Sequence, residues 1–238
     1  MSSADALPAP VITVDGPSGT GKGTIAGRLA ALLGWHVLDT GALYRCVGLA
    51  AVRSGIRLDD DAALGRLADG LDIRFDGERV LLDGADVSTE IRTAAAGEPA
   101  SRVAACPAVR RALWRLQRDA VRPPGLVADG RDMGTVVFPE ALMKLYLDAS
   151  PEVRVDRRYK QLKEKGMDAS VPELARELAE RDRRDRERAV SPLEPAADAV
   201  VIDTSSLGIE AVLAAVLAEA RRVLPDVVTG SEGAVAGH

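Results

Sequence analysis

The segment ITVDGPSGTGKGT, residues 12–24, carries an alternating apolar run straight into a loop in which Gly16, Gly19, Gly21 and Gly23 surround Lys22. Phosphate oxygens need several donors in a small concave space. Successive backbone N–H groups supply them only where no Cβ intrudes and positive φ is allowed. The nine residues Gly16, Pro17, Ser18, Gly19, Thr20, Gly21, Lys22, Gly23 and Thr24 therefore read as a nest for nucleotide phosphates. A helix starting near Gly21 would add free N–H groups and its dipole, and Lys22 would reach the β- and γ-phosphates. The pattern departs from GxxxxGK[ST] in one place: Gly23 follows the lysine, so the hydroxyl arrives late, at Thr24. Phosphate binding survives that shift, but direct Mg²⁺ ligation by the hydroxyl does not follow from it.

A second group with chemical potential is arginine near strand ends: Arg45 in DTGALYR, Arg131 in DGRDMG, and the run RELAERDRRDRERAVSP at 176–192. Planar guanidinium forks match phosphate oxygens two at a time. The plain alternative for the run is a solvated helix, since Glu177/Arg181, Glu180/Arg184 and Arg181/Asp185 stand four apart. Beside a phosphate loop, the functional reading is a lid whose arginines stabilise transferring charge and exclude water. The chain has no asparagine, so the NKxD motif that reads guanine is missing. An LSGGQ signature is missing too.

Several elements must position these groups. PVITVD (10–15), WHVLD (35–39), GLVAD (125–129), MKLYLD (143–148) and DAVVID (198–203) read as five short strands separated by helical patterns, hence a parallel sheet built by right-handed crossovers. All five end in aspartate, at the sheet end where α/β folds place their ligands. Ser150 before Pro151 and Glu152 marks one helix start, and Ser170 with Glu173 marks another. Ile209, Val212, Leu213, Val216, Leu217 and Leu224 mark a last helix packed on the sheet. Two Asp-Gly turns, Asp76-Gly77 and Asp83-Gly84, predict a small antiparallel meander over 71–90. Residues 225–238 lack periodicity and read as a mobile tail that includes His238; His36, beside Trp35, reads as packed rather than catalytic.

Bulk properties narrow the partners. With 238 residues, a formal charge of −5 and no membrane-length apolar run, the chain suits one α/β domain with inserted lobes, without overall attraction for nucleic acid polymer or a membrane surface. Cys46 and Cys106 have no zinc-type spacing and read as buried thiols in a reduced compartment. The opening MSSADALPAP lacks the regions of a secretion signal, so the expectation is a cytoplasmic protein.

DGPSGTGKGT, LDTGALYR, EIRT, GLVADGRDMGTVVFP, RDRRDRERAVSPL and PAADAVVIDT occur in an order that closely resembles the bacterial cytidylate kinases, nucleoside monophosphate kinases of the P-loop class, over essentially 10–224. The resemblance implies an α/β P-loop kinase with a five-stranded parallel sheet flanked by helices. It implies a core of about 10–40, 121–155 and 195–224, an inserted monophosphate-binding lobe of about 41–120 carrying the meander, and a helical lid of about 156–192. Residues 1–9 and 225–238 would be flexible termini. The implied reaction is ATP-dependent phosphorylation of CMP and dCMP with Mg²⁺, by a protein expected to be a monomer.

Carried over residue by residue, the resemblance puts ATP on the 16–24 loop and Arg157, and catalysis on Lys22, Arg131, Arg181 and Arg188. The acceptor phosphate would meet Arg45, Arg131 and Arg188. The cytosine edge offers an amino donor at N4 and acceptors at N3 and O2; Asp132 with Ser101 and Arg110 would satisfy it. Tyr44, Arg181 and Asp185 fall on the sugar side, and Asp129 would orient water around Mg²⁺. Thr40 stands where the family often has serine, with helix N-capping as its plain alternative. Arg184 is a further lid candidate. The competing readings are another small P-loop kinase, acting on AMP, UMP or shikimate, and a nucleotide-binding regulatory module without transfer activity.

Overall fold

A computed structural model describes residues 7–77, 79–164 and 166–225. In chain order the first elements are β1 (Val11–Asp15), α1 (Lys22–Leu33), β2 (His36–Asp39), α2 (Thr40–Arg53) and α3 (Asp61–Gly70). Then come β3 (Ile73–Asp76), β4 (Arg79–Leu82), β5 (Ala85–Asp86), α4 (Gly97–Val103) and α5 (Pro107–Asp119). The remainder is β6 (Leu126–Asp129), β7 (Met143–Asp148), α6 (Pro151–Glu164), α7 (Val171–Glu187), β8 (Val200–Asp203) and α8 (Ile209–Val223). The described residues fall into two compact units. One is built from the chain up to Leu38, Ala120–Arg186 and the chain from Ser191 on; the other from Asp39–Asp119 with Glu187–Val190.

The first unit holds a five-stranded sheet in the order β2-β6-β1-β7-β8. Every strand-to-strand register observed in it is parallel, as with Val14 opposite Asp129 and Asp15 opposite Tyr146. All five residues of β1 are buried, which is what a strand covered on both faces requires and why its sequence is nearly all β-branched. Ile12, Val14, Val127, Leu145 and Leu147 form one apolar core with Ile25 and Leu29 of α1 and Val212, Leu213 and Val216 of α8. The period predicted for the last helix is thus the face it buries, with Ile209 and Leu217 at its margin. Helix α6 opens at Pro151, where the Val153 N–H reaches Ser150 Oγ at 3.4 Å, and α7 opens just after Ser170. The two helices share a smaller apolar cluster of Val155, Leu162, Leu174 and Leu178.

The second unit packs α2 against α4 and α3 against α5, and adds the antiparallel sheet β3-β4-β5. Both Asp-Gly pairs fall at its turns, with Gly77 and Gly84 at positive φ. Helix α3 is capped by Asp60, whose carboxylate accepts the Ala63 N–H at 2.9 Å. Cys46 and Cys106 are both free and buried, as the spacing predicted. Trp35 closes over Gly125, and His36 beside it is half-buried, with a ring nitrogen 3.0 Å from the Pro123 carbonyl oxygen. Of the termini predicted to be flexible, residues 1–6 and 226–238 lie outside the described residues.

Candidate active site

The phosphate loop is set by its two ends. At Gly16 the backbone turns out of β1 at φ +143°, and a Cβ there would sit 2.0 Å from the Leu147 carbonyl oxygen, so only glycine lets β1 and β7 stay paired up to this point. At the other end Gly21 caps α1 in the left-handed region, with no side chain to occupy the first N–H groups of the helix and no acidic residue in the first turn. An uncapped N-terminus with its dipole intact is an anion site. Thr20 Oγ1 and Lys22 Nζ both donate to the Pro17 carbonyl, at 3.1 and 3.0 Å, which curls the loop on itself.

Lys22 is almost wholly buried. Burial, and then the positive charge of Arg131, pull its pKa down to about 7; Arg181 pulls the same way, while Asp129 and Asp185 oppose. Two predicted arginines and two predicted carboxylates thus share the field of one lysine. Arg131 Nε donates to Asp185 Oδ2 at 3.1 Å and its Nη1 to the Gly130 carbonyl at 3.1 Å, so the guanidinium is oriented before any ligand arrives. Asp129 ends β6 with its carboxylate against the first turn of α1, where a Cβ on Gly23 would come within 3.1 Å of Oδ2. Asp132 is buried three residues later, and its carbonyl accepts the N–H groups of Val136 and Val137 in a single π-type turn, Met133–Val137.

Asp15, the first residue of DGPSGTGKGT, stands out in the sequence only as one of five strand-ending aspartates. Its two oxygens accept the N–H groups of Met133 and Gly134 at 2.9 and 2.8 Å, tying the start of the phosphate loop to the segment that carries Arg131 and Asp132. Burial raises its pKa to about 7 against those two hydrogen bonds, with Asp132 and Asp129 adding to the rise. Its signal was the strand-ending position, shared by all five aspartates and therefore undiscriminating.

Arg157 sits differently from a simple phosphate clamp. Its guanidinium donates to Thr204 Oγ1 and the Thr204 carbonyl, at 2.9 and 2.6 Å, and to the Leu207 and Thr20 carbonyls at 3.3 and 3.4 Å. It fastens the segment after β8 to the phosphate loop. Thr24 is exposed in the first turn of α1.

In the second unit, Thr40 is the first residue of α2, buried, and the cap is Asp39, which accepts the Ala42 N–H at 3.0 Å. N-capping therefore belongs to the preceding aspartate rather than to Thr40. Arg45 Nη1 donates to the carbonyls of Ile91 and Thr93, at 2.6 and 3.3 Å, which ties DTGALYR to the backbone of EIRT. The Arg110 guanidinium lies 5.8 Å from the Tyr44 ring centroid and donates to the Ala104 carbonyl at 3.2 Å. Ser101 and Arg188 are also buried.

Among the described residues no group of three or more histidine, cysteine or acidic side chains is arranged to hold a metal ion by itself. None of their helices is long and apolar enough to cross a membrane.

The cytidylate kinase family model matches residues 12–222. The chain belongs to the cytidylate kinase family. It is 56% identical over 225 residues to a cytidylate kinase of Aeromonas hydrophila subsp. hydrophila, covering 93% of this chain and 98% of that one. It is 57% identical over 215 residues to one of Bordetella bronchiseptica, covering 90% and 96%. A third, from Methylococcus capsulatus, is 58% identical over 207 residues, covering 86% and 93%. Membership makes the protein a nucleoside monophosphate kinase, and its family marks ATP as phosphoryl donor.

Proposed function

We propose that this protein transfers the γ-phosphoryl group of ATP to CMP and dCMP, giving ADP and CDP or dCDP, as a cytoplasmic monomer of pyrimidine nucleotide metabolism. The observation that carries the reading is the buried Lys22 at the uncapped start of α1, with Arg131, Arg181, Asp129 and Asp185 in its field. That group lies beside a loop able to wrap a triphosphate with backbone donors. An acceptor phosphate oxygen attacks Pγ in line while the bond to the ADP oxygen breaks. Because the attacking oxygen is already ionised, no general base is needed, and catalysis reduces to positioning and charge stabilisation. Lys22 follows the γ-phosphoryl charge, and Arg131, Arg181 and Arg188 offset the charge that spreads over its equatorial oxygens.

Mg²⁺ suits this donor set. It keeps several waters and needs only one or two carboxylates beside the substrate phosphates. Asp129 would orient such waters, a role that its carboxylate's position against the first turn of α1 supports. When bound, the ion neutralises phosphate charge. On the acceptor side Arg45 and Arg188 hold the monophosphate, Thr40 lies beside the acceptor, and Tyr44 and Asp185 meet the sugar. Asp132, Ser101 and Arg110 read cytosine, with the carboxylate accepting from N4.

A coupled assay with CMP, dCMP, UMP, AMP and shikimate tests the reading. The expected result is turnover of CMP and dCMP well above the others; AMP turned over faster than CMP would overturn it. ATP binding without a diphosphate product from any acceptor would point instead to a regulatory module.

A further inference from the structure

Among the described residues Arg154 is one of the most deeply buried charges, 2% exposed, and the reaction described above gives it nothing to do. It lies in the first turn of α6, and each arm of its side chain is engaged. Nη1 and Nη2 form a two-pronged pair with the Asp182 carboxylate of α7, at 3.0 and 2.5 Å. Nη1 also donates to the Ser18 carbonyl inside the phosphate loop at 3.2 Å, and Nε to the Ala149 carbonyl after β7 at 3.1 Å. The approach is close along the whole side chain: a Cβ on Gly19 would lie 3.1 Å from that of Arg154. Asp182 directly follows Arg181 and stands three residues before Asp185, which holds Arg131.

A buried ion pair is a poor way to hold two helices together, since apolar side chains of the same volume do as well or better. Helices α6 and α7 already share an apolar cluster. What apolar side chains cannot do is bond the Ser18 carbonyl and α7 at once.

We infer that Arg154, through its fork on Asp182, is a positioning residue that fixes α7 to the phosphate loop and so sets Arg181 against the transferring phosphoryl group. The pair makes the geometry of α7 conditional on the geometry of the loop, so that Arg181 is aimed only when residues 16–24 are in their working shape. This rests on the kinase reading above and adds to it a pair outside the site.

The deciding variant replaces both members, Arg154→Met with Asp182→Leu, which keeps the site filled and leaves no unpaired charge. Either reading allows some loss of Tm, because the Ser18 and Ala149 carbonyls lose a donor. Measured well below Tm, a merely structural pair predicts full turnover, and the positioning role predicts kcat at saturating ATP and CMP at least tenfold lower. It also predicts non-additivity: Arg181→Ala, costing about a hundredfold in the parent, should cost less than about tenfold more in the double variant, because α7 no longer aims the side chain it removes. Equal costs in both backgrounds, or full kcat in the double variant, overturn the inference. Should the double variant not fold, Asp182→Asn serves. It retains the shape and one acceptor, and a kcat loss of tenfold or more, measured well below its Tm, supports the role, whereas unchanged kcat refutes it. Parent enzyme that fails to convert CMP would instead overturn the kinase reading, so the two failures are told apart.

Discussion

Lys22 is held near neutrality by burial and by neighbouring arginines, yet a triphosphate needs it charged. With a pKa near 7 the unliganded side chain is largely neutral at about pH 8, and polyphosphate beside it restores the proton. Binding of ATP at that pH should therefore take up close to one proton. Calorimetry in buffers of differing ionisation enthalpy measures this. In Lys22→Ala the uptake should vanish and turnover fall by about 10³, with the fold kept. Asp132 carries a prediction of a different kind. Asp132→Asn presents an amide that can donate to a 4-oxo group, so the ratio of kcat/KM for CMP over UMP should drop by at least about tenfold. Kinetics with both acceptors checks it, and an unchanged ratio would remove Asp132 from base recognition.

Among the elements, β1 and its exit are the most constrained. Gly16→Ala would force a Cβ into the Leu147 carbonyl and strain φ, costing about 3 kcal/mol and roughly 6–12 °C in Tm by thermal melting. This is also where sequence reading was strongest. All five strands, the start of α1, the Pro151 start of α6 and both Asp-Gly turns were legible, because each rests on local chemistry: strand composition, caps and positive φ. What stayed hidden depends on which residues the folded chain brings together. Asp182 was one charge among many in a run that resembles a solvated helix. Arg154 has no local pattern at all, and Thr204, though it closes PAADAVVIDT, has nothing local to show that it meets Arg157. Asp15 could not be told from four other strand-ending aspartates until its oxygens were seen to face two N–H groups 118 and 119 residues away. Asp39 and Thr40, adjacent at a helix start, differ only in which one turns its oxygen toward the Ala42 N–H.

For the whole molecule, Asp15 sets a pH dependence of stability that runs against the usual acid denaturation. Its pKa rises from 3.8 to about 7 on folding, so the native state binds more protons than the unfolded chain between those values. Its contribution is most favourable below the unfolded value and is lost as pH climbs through about 7. Surface carboxylates paired with basic groups, such as Asp198 with Lys144, act in the opposite sense. The difference between the Tm–pH curves of the parent and Asp15→Asn should isolate the effect, with the parent losing stability relative to the variant from about pH 4 to pH 7; parallel curves would show that Asp15 titrates normally. The strand order carries a last consequence. β2 and β6 are neighbours in the sheet, yet the chain leaves for all of Asp39–Asp119 between them. That excursion can be lengthened, pruned or exchanged wholesale without changing any strand's neighbours. On the proposed function, evolution or a protein engineer could thus revise what receives the phosphoryl group while inheriting intact most of the apparatus that supplies it.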